Sequence, residues 1–189
     1  MRKAFEAEFR EALQVGECIS SHAEAEFFVH DPPAPSKAPC FFYTEEMQSV
    51  FDLRVVNPRQ REIHLLRVDK CFYPHGGRDT RCDCALLAEQ QLYLIEFKKP
   101  ELEQANDGKQ RHANAGDCLP QLAASLKDFY DRGIIPYGAM VIAHVCVGYT
   151  HPSPYNGADY RKLKASFDVR TADIPVRIKL MVDNKMVVS

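Results

Sequence analysis

Apolar and polar positions along the chain change period several times, and each change marks an element. Phe5, Phe9 and Leu13 recur every four residues, with Ala12 beside them and Gly16 after them. This spacing predicts an amphipathic helix that packs on the core and stops at the glycine. The stretch His30 to Pro39 has proline at 32, 33, 35 and 39, so it reads as a loop that separates an N-terminal arm from the rest. Thr44, followed by Glu45 and Glu46 and then by Met47, Val50, Phe51 and Leu53, predicts a short helix over 44–54. From Glu62 to Tyr73 strand formers dominate, with Ile63, Leu65 and Arg67 on one face and His64, Leu66 and Val68 on the other.

Pro74-His75-Gly76-Gly77 ends that strand. Two apolar runs then follow, Cys82 to Ala88 and Leu92 to Phe97, joined around Glu89-Gln90-Gln91, which predicts a β-hairpin. Leu119 to Tyr130 has helical spacing, with Pro120 in the first turn and Gly133 past the end. Tyr137 to Tyr149 reads as a buried strand, and His151 to Gly157 as a loop. At the end, Ile174, Val176, Ile178, Leu180 and Val182 alternate with Arg177 and Lys179, and Asp183-Asn184 offers a tight turn into Met186 to Val188. The order predicts one α/β domain over 1–189 with a single central mixed sheet flanked by helices. Within it, 1–40 forms an N-terminal helical arm and Pro-rich loop, 44–149 the core, and 150–189 a C-terminal β extension.

Composition adds constraints. With 189 residues, 46% hydrophobic, and a net charge of −2, the chain is that of a folded protein, not a disordered tail or a coiled coil. Charge is uneven: residues 1–53 carry 4 basic and 10 acidic side chains, whereas 54–81 and 161–189 each carry 7 basic and 3 acidic. A nucleic-acid partner must therefore meet a local basic patch, since the whole chain is not basic. No apolar run approaches the roughly 18 residues of a membrane span. Glu6, Glu8 and Glu11 interrupt the start where a signal peptide needs an apolar stretch, so the expectation is a cytosolic (cytoplasmic) protein. Seven cysteines in that compartment are expected to be reduced and mostly buried. Cys82 and Cys84 share a face in an extended strand, but the spacing of the others is not that of a zinc site.

The chemistry concentrates in RCDCALLAEQQLYLIEFKK. If Glu89-Gln90 is a two-residue link, Asp83 falls directly opposite Glu96; a four-residue link sets Asp83 opposite Lys98 instead. Both registers keep Asp83, Glu96 and Lys98 on one face, while an odd link without a bulge does not. Facing carboxylates repel, and a hard divalent cation such as Mg²⁺ or Mn²⁺ relieves this, with the carbonyl of Phe97 as a further oxygen ligand. Such an ion activates water and neutralises charge on a phosphoryl oxygen, and Lys98 orients the nucleophile or stabilises the transition state.

With Asp83 at a strand start, twelve residues, then Glu96-Phe97-Lys98 at the end of the next strand, a helix and another strand, the span from about Ile63 to Tyr149 resembles the PD-(D/E)xK (restriction-endonuclease-like) nuclease superfamily. The resemblance implies a restriction-endonuclease-like core, Asp83 and Glu96 as metal ligands, and Lys98 as the catalytic lysine. It further implies a role for Gln121 on the following helix, and for a glutamate on the preceding helix at the place of Glu46. Cys82 stands where the name-giving proline is found. The implied activity is metal-dependent hydrolysis of phosphodiester bonds, with DNA ahead of RNA as substrate, no membrane, and a homodimer or a partner subunit to assist targeting. The competing expectation is a nuclease-like module that has lost catalysis and binds a protein, for which the acidic residues 1–53 suit a basic partner. His112, Lys109 and Arg111 are the loop residues nearest to the expected site.

Overall fold

The computed structural model describes residues 1–33, 36–45, 49, 51–74, 81–98, 108–148 and 157–188, without the side chains of 108–112. Its elements are α1 (Arg2–Glu8), α2 (Arg10–Val15), β1 (Ile19–His22), β2 (Glu26–His30), β3 (Phe41–Tyr43), β4 (Leu53–Val56), β5 (Ile63–Leu66), β6 (Cys84–Ala88), β7 (Gln91–Phe97), α3 (Gly108–Asp131), β8 (Met140–Cys146), α4 (Gly157–Arg170), β9 (Arg177–Val182) and β10 (Lys185–Val187). The single sheet expected from the sequence is two mixed sheets. A six-stranded sheet runs β1-β5-β6-β7-β8-β9, and a four-stranded sheet runs β10-β4-β2-β3.

Three layers result. One face of the large sheet packs under the helices, where Leu66, Leu87, Leu92, Leu94 and Val141 meet Phe5, Leu119, Leu122, Leu126, Leu163 and Phe167. Its other face packs on the small sheet, where Ile63, Leu65, Leu86 and Ile95 meet Phe27, Val29, Leu53, Val55 and Met186. Burial on both faces explains the dominantly apolar content of β5, β6 and β8, interrupted by His64 and His144, and each fully buried apolar side chain contributes about 1.5–3 kcal/mol.

The expected hairpin is present. Ala88 pairs with Gln91 across the two-residue link Glu89-Gln90, and the ladder continues to Cys84 opposite Ile95; Glu89 takes the left-handed conformation, φ 53°, that tight hairpin turns require. Then β7, β8 and β9 run parallel, with α3 and α4 as the crossings between them. This arrangement sets the carboxyl ends of β7 and β8 at one edge of the sheet, the customary place for ligands in parallel α/β units.

Elsewhere the fold departs from the sequence-based expectation. Leu53 and Arg54 open β4 and do not end a helix, because Leu53 and Val55 alternate into the core between the sheets; Glu46, Met47 and Val50 lie outside the described residues. The helix expected from Leu119 starts at Gly108, so Pro120 stands inside it, not in its first turn. Small residues such as Ala115, fully buried against the sheet, leave the N-terminal half of α3 without an apolar stripe. α4 was hidden for a related reason, since only Leu163 and Phe167 of its fourteen residues are buried. At the C terminus, Asp183-Asn184 does not close a hairpin: β9 stays in the large sheet, and β10 crosses to the small one, parallel to β4.

The N-terminal segment is woven into both sheets, through β1 beside β5 and β2 beside β4. Phe5 and Phe9 pack against Phe72 and Phe129, with Phe5 edge-on to Phe129 at 4.9 Å between ring centroids. The expectation of reduced thiols fails for one pair. Cys18 and Cys71 form a disulfide with Cα atoms 5.5 Å apart, while Cys40, Cys82, Cys84, Cys118 and Cys146 are free and buried. Among the described residues no helix is long and apolar enough to cross a membrane.

Candidate active site

Asp83 lies one step past the paired end of β6, where the next residue across the ladder is Glu96. The two are tied reciprocally. The Asp83 N–H donates to Glu96 Oε2 at 3.1 Å, and the Phe97 N–H donates to Asp83 Oδ2 at 2.7 Å. A side-chain carboxylate thus takes the place of the next ladder carbonyl, and the pairing of the strands itself fixes both acids. Glu96 continues the face of Leu92 and Leu94 toward the helices and is 4% exposed. Asp83 occupies a bend and is half-buried.

The bend alters the alternation around it. Cys82 faces the helix-side core and Cys84 the core between the sheets, so the two thiols do not share a face as an ideal strand predicts. The Cys82 N–H is held by Ser125 Oγ of α3 at 2.8 Å, which pins the start of β6 to that helix. On the other side, the Lys98 N–H donates to Cys146 O at 2.8 Å and prolongs the β7–β8 pairing past Phe97.

Electrostatics mark the pair as costly. Burial pushes the Asp83 carboxyl up to about 7, helped by the negative charges of Asp31 and Asp69 and opposed by the Phe97 N–H and Lys70. Burial also pushes Glu96 well above the usual carboxylate range, with Asp83 the next cause and Asp31 and Asp69 adding to it. Two buried acids that resist ionisation together are the arrangement that a hard divalent cation relieves. Oxygen donors fit Mg²⁺ or Mn²⁺, and thiolates are not on offer: burial raises every free cysteine, Cys84 to about 11. Among the described residues no three His, Cys, Asp or Glu side chains stand close enough to hold a metal ion by themselves. Asp83 and Glu96 therefore need backbone carbonyl, water or substrate oxygens to complete a coordination shell.

The remaining expected residues are placed less tightly. The Lys98 ammonium pairs with Asp117 of α3 at 3.7 Å, and both side chains are about half exposed, 47% and 62%. Its ion pair is thus with the helix, not with Glu96 or Asp83. Gln121 lies four residues after Asp117 and four before Ser125, on the stripe of α3 whose ends meet Lys98 and Cys82. It is half-buried. Phe97 joins the pair through its N–H, as described. Glu46 and the side chains of Lys109, Arg111 and His112 lie outside the described residues.

Two acids, Asp31 and Asp69, escaped the reading of the sequence, and Lys70 figured there only as one of the basic residues of 54–81. Asp31 follows β2, and Asp69 and Lys70 follow β5. Lys70 Nζ is 3.3 Å from Asp31 Oδ1, and the Asp69 N–H donates to Asp83 O at 3.1 Å. Their only local signal was a charged pair, Asp69-Lys70, directly after a strand of buried residues. Asp31 sat in a proline-rich stretch read as a linker.

Comparison with protein-family models, with curated proteins and with solved structures finds no match to this chain.

Proposed function

We propose that the protein is a Mg²⁺- or Mn²⁺-dependent nuclease that hydrolyses phosphodiester bonds, with DNA the preferred substrate over RNA, and that its core is of the restriction-endonuclease-like kind the motif resembles. The observation that carries this reading is the reciprocal tie of Asp83 and Glu96 at the carboxyl end of β7. Strand pairing brings together a buried carboxylate, Glu96, and a half-buried one, Asp83, whose mutual repulsion has no structural use. When bound, the metal ion supplies an activated water and neutralises charge on the phosphoryl group. Asp83 and Glu96 would hold it, with the Phe97 carbonyl as the backbone oxygen expected beside them.

Lys98 stands two residues past Glu96, directly after β7, and is the ammonium nearest in sequence to the two acids. To act there it exchanges its exposed pairing with Asp117 for the substrate. Surface ion pairs of this kind are worth only about 0–1 kcal/mol, so the exchange is cheap. Gln121, facing the same stripe, offers its amide to the attacking water or to a phosphate oxygen. The basic side chains Arg161 and Lys162, exposed in the first turns of α4, provide charge for the nucleic-acid backbone. A homodimer or a partner subunit would extend that surface.

A second reading has one observation in its favour. The engagement of Lys98 by Asp117 suits a nuclease-like module that binds a protein and no longer cleaves. The cytosolic location expected from the sequence sits poorly with Cys18–Cys71, because disulfides persist mainly in oxidising compartments.

The test is incubation of the purified protein with single-stranded DNA, duplex DNA and RNA, in Mg²⁺, in Mn²⁺ and in chelator, beside Asp83→Ala and Lys98→Ala. Metal-dependent cleavage lost in both variants is the expected result. Absence of cleavage from the folded wild-type protein on every substrate rejects the enzyme and leaves the binding module.

A further inference from the structure

Lys70 differs from the other cations around the site in how firmly it is held. It stands in the turn between β5 and Tyr73 with φ 63°, a left-handed conformation that a residue with a Cβ avoids unless its surroundings impose it. Here they do. The turn is closed by Phe72 N–H to Arg67 O at 3.1 Å and Tyr73 N–H to Val68 O at 3.2 Å. The neighbouring Cys71 is bonded to Cys18. Arg67 reaches Cys40 O at 2.9 Å, Ser20 Oγ at 3.2 Å and Glu17 O, and Asp69 is bonded to Asp83 through its N–H.

All of this backbone holding delivers one charge. The Lys70 ammonium lies 3.3 Å from Asp31 Oδ1, with the two side chains 26% and 15% exposed. Asp69, the residue before Lys70, donates its N–H to Asp83 O at 3.1 Å, so the turn that carries the Lys70–Asp31 pair is fastened to the strand end that carries Asp83.

We infer that Lys70 is a built-in countercation of the carboxylate site, a positioning residue that limits how strongly Asp83 and Glu96 attract a divalent cation. The inference rests on the metal-binding reading proposed above. Its logic is that of charge. Asp31, Asp69, Asp83 and Glu96 form a negative field that would hold a divalent ion too firmly for turnover, and would destabilise the fold without one. A fixed ammonium beside Asp31 offsets part of that field in both states. The Cys18–Cys71 disulfide and the closing hydrogen bonds hold the backbone of the turn, and Asp31 holds the ammonium itself.

The experiment is Mn²⁺ binding by titration calorimetry at pH 8 with the disulfide intact, on the wild type, Lys70→Met, Lys70→Gln, Lys70→Arg and Asp83→Asn, each checked for folding by circular dichroism. Removing one positive charge from the partly screened surroundings of the site is expected to tighten Mn²⁺ binding about tenfold in Lys70→Met and Lys70→Gln. Lys70→Arg, which keeps the charge, is expected to stay within about twofold of wild type on the same electrostatic grounds, and Asp83→Asn to lose binding. Unchanged or weaker binding in whichever neutral Lys70 variant folds, with Asp83→Asn still defective, overturns the role of Lys70 alone. No Mn²⁺ binding by the wild type, or equal binding by Asp83→Asn, overturns the metal site and this inference with it.

Discussion

Replacing Asp83 by Asn asks whether the site is held at the expense of the fold. Burial and the nearby acids push this carboxyl up to about 7 from an ordinary 3.8. Between those values the folded protein keeps a proton that the unfolded chain has released, so stability falls as pH rises through the window and levels off above it. At about 1.4 kcal/mol per pKa unit, the loss between pH 5 and pH 8 is about 3 kcal/mol for this group alone. Asn has the same shape and still presents an oxygen to the Phe97 N–H, but it does not ionise. The variant is therefore expected to gain about 3 kcal/mol on wild type between pH 5 and pH 8 by this linkage, measured by urea unfolding with chelator present. Mn²⁺ should then recover the deficit of the wild type at pH 8 and leave the stability of Asp83→Asn unchanged. A stability gap that is the same at both pH values, or that widens toward acid, would falsify the claim that a buried ionised Asp83 burdens the fold.

Four other outcomes follow from the geometry. Reduction of Cys18–Cys71, which spans 53 residues, should lower unfolding stability by up to about 4 kcal/mol on the loop-entropy argument, read from urea curves with and without dithiothreitol; coincident curves refute it. Phe129→Ala removes a fully buried ring that contacts Phe5 and Phe9 and should cost about 3–5 kcal/mol in the same assay, whereas a loss under about 1 kcal/mol would mean that α1 does not pack there. Gly148→Ala combines φ +71° with a Cβ that collides with the ring of Phe51, so a loss of about 2–4 kcal/mol is expected, and a neutral effect contradicts the close approach. Asp117→Asn should release Lys98 from its ion pair and leave stability within about 0.5 kcal/mol of wild type; if cleavage is found, its rate should not fall, and a large fall would show that Asp117 serves the reaction.

The hairpin was legible in the sequence, and its register was narrowed to two alternatives, of which the structure takes the two-residue link. Apolar runs on either side of Glu89-Gln90 mark two adjacent strands, which the fold buries on both faces, and the short polar link between them marks the turn. Both alternatives kept Asp83, Glu96 and Lys98 on one face, which named the three residues, and the observed ladder sets Asp83 across from Glu96. Parallel β8 and alternating β9 were readable for the same reason, since burial on one or both faces writes a short-period pattern into the chain. The second sheet was not legible. β2, β3 and β4 are short, and β10 reaches β4 from more than a hundred residues away, so nothing local distinguishes these strands from loops or a short helix.

Local pattern therefore determined which residues alternate and that Asp83, Glu96 and Lys98 gather at one end of a hairpin, because strand pairing across a short turn is constrained by neighbours in sequence. Tertiary structure decided what surrounds those acids. Asp31 and Lys70 arrive from segments 39 residues apart, Lys98 is drawn toward Asp117 on a helix, and Cys18 meets Cys71 across another long interval. Charge and thiol partners of this kind carry no periodicity; they are chosen only when layers stack and bring distant loops to the same edge of a sheet.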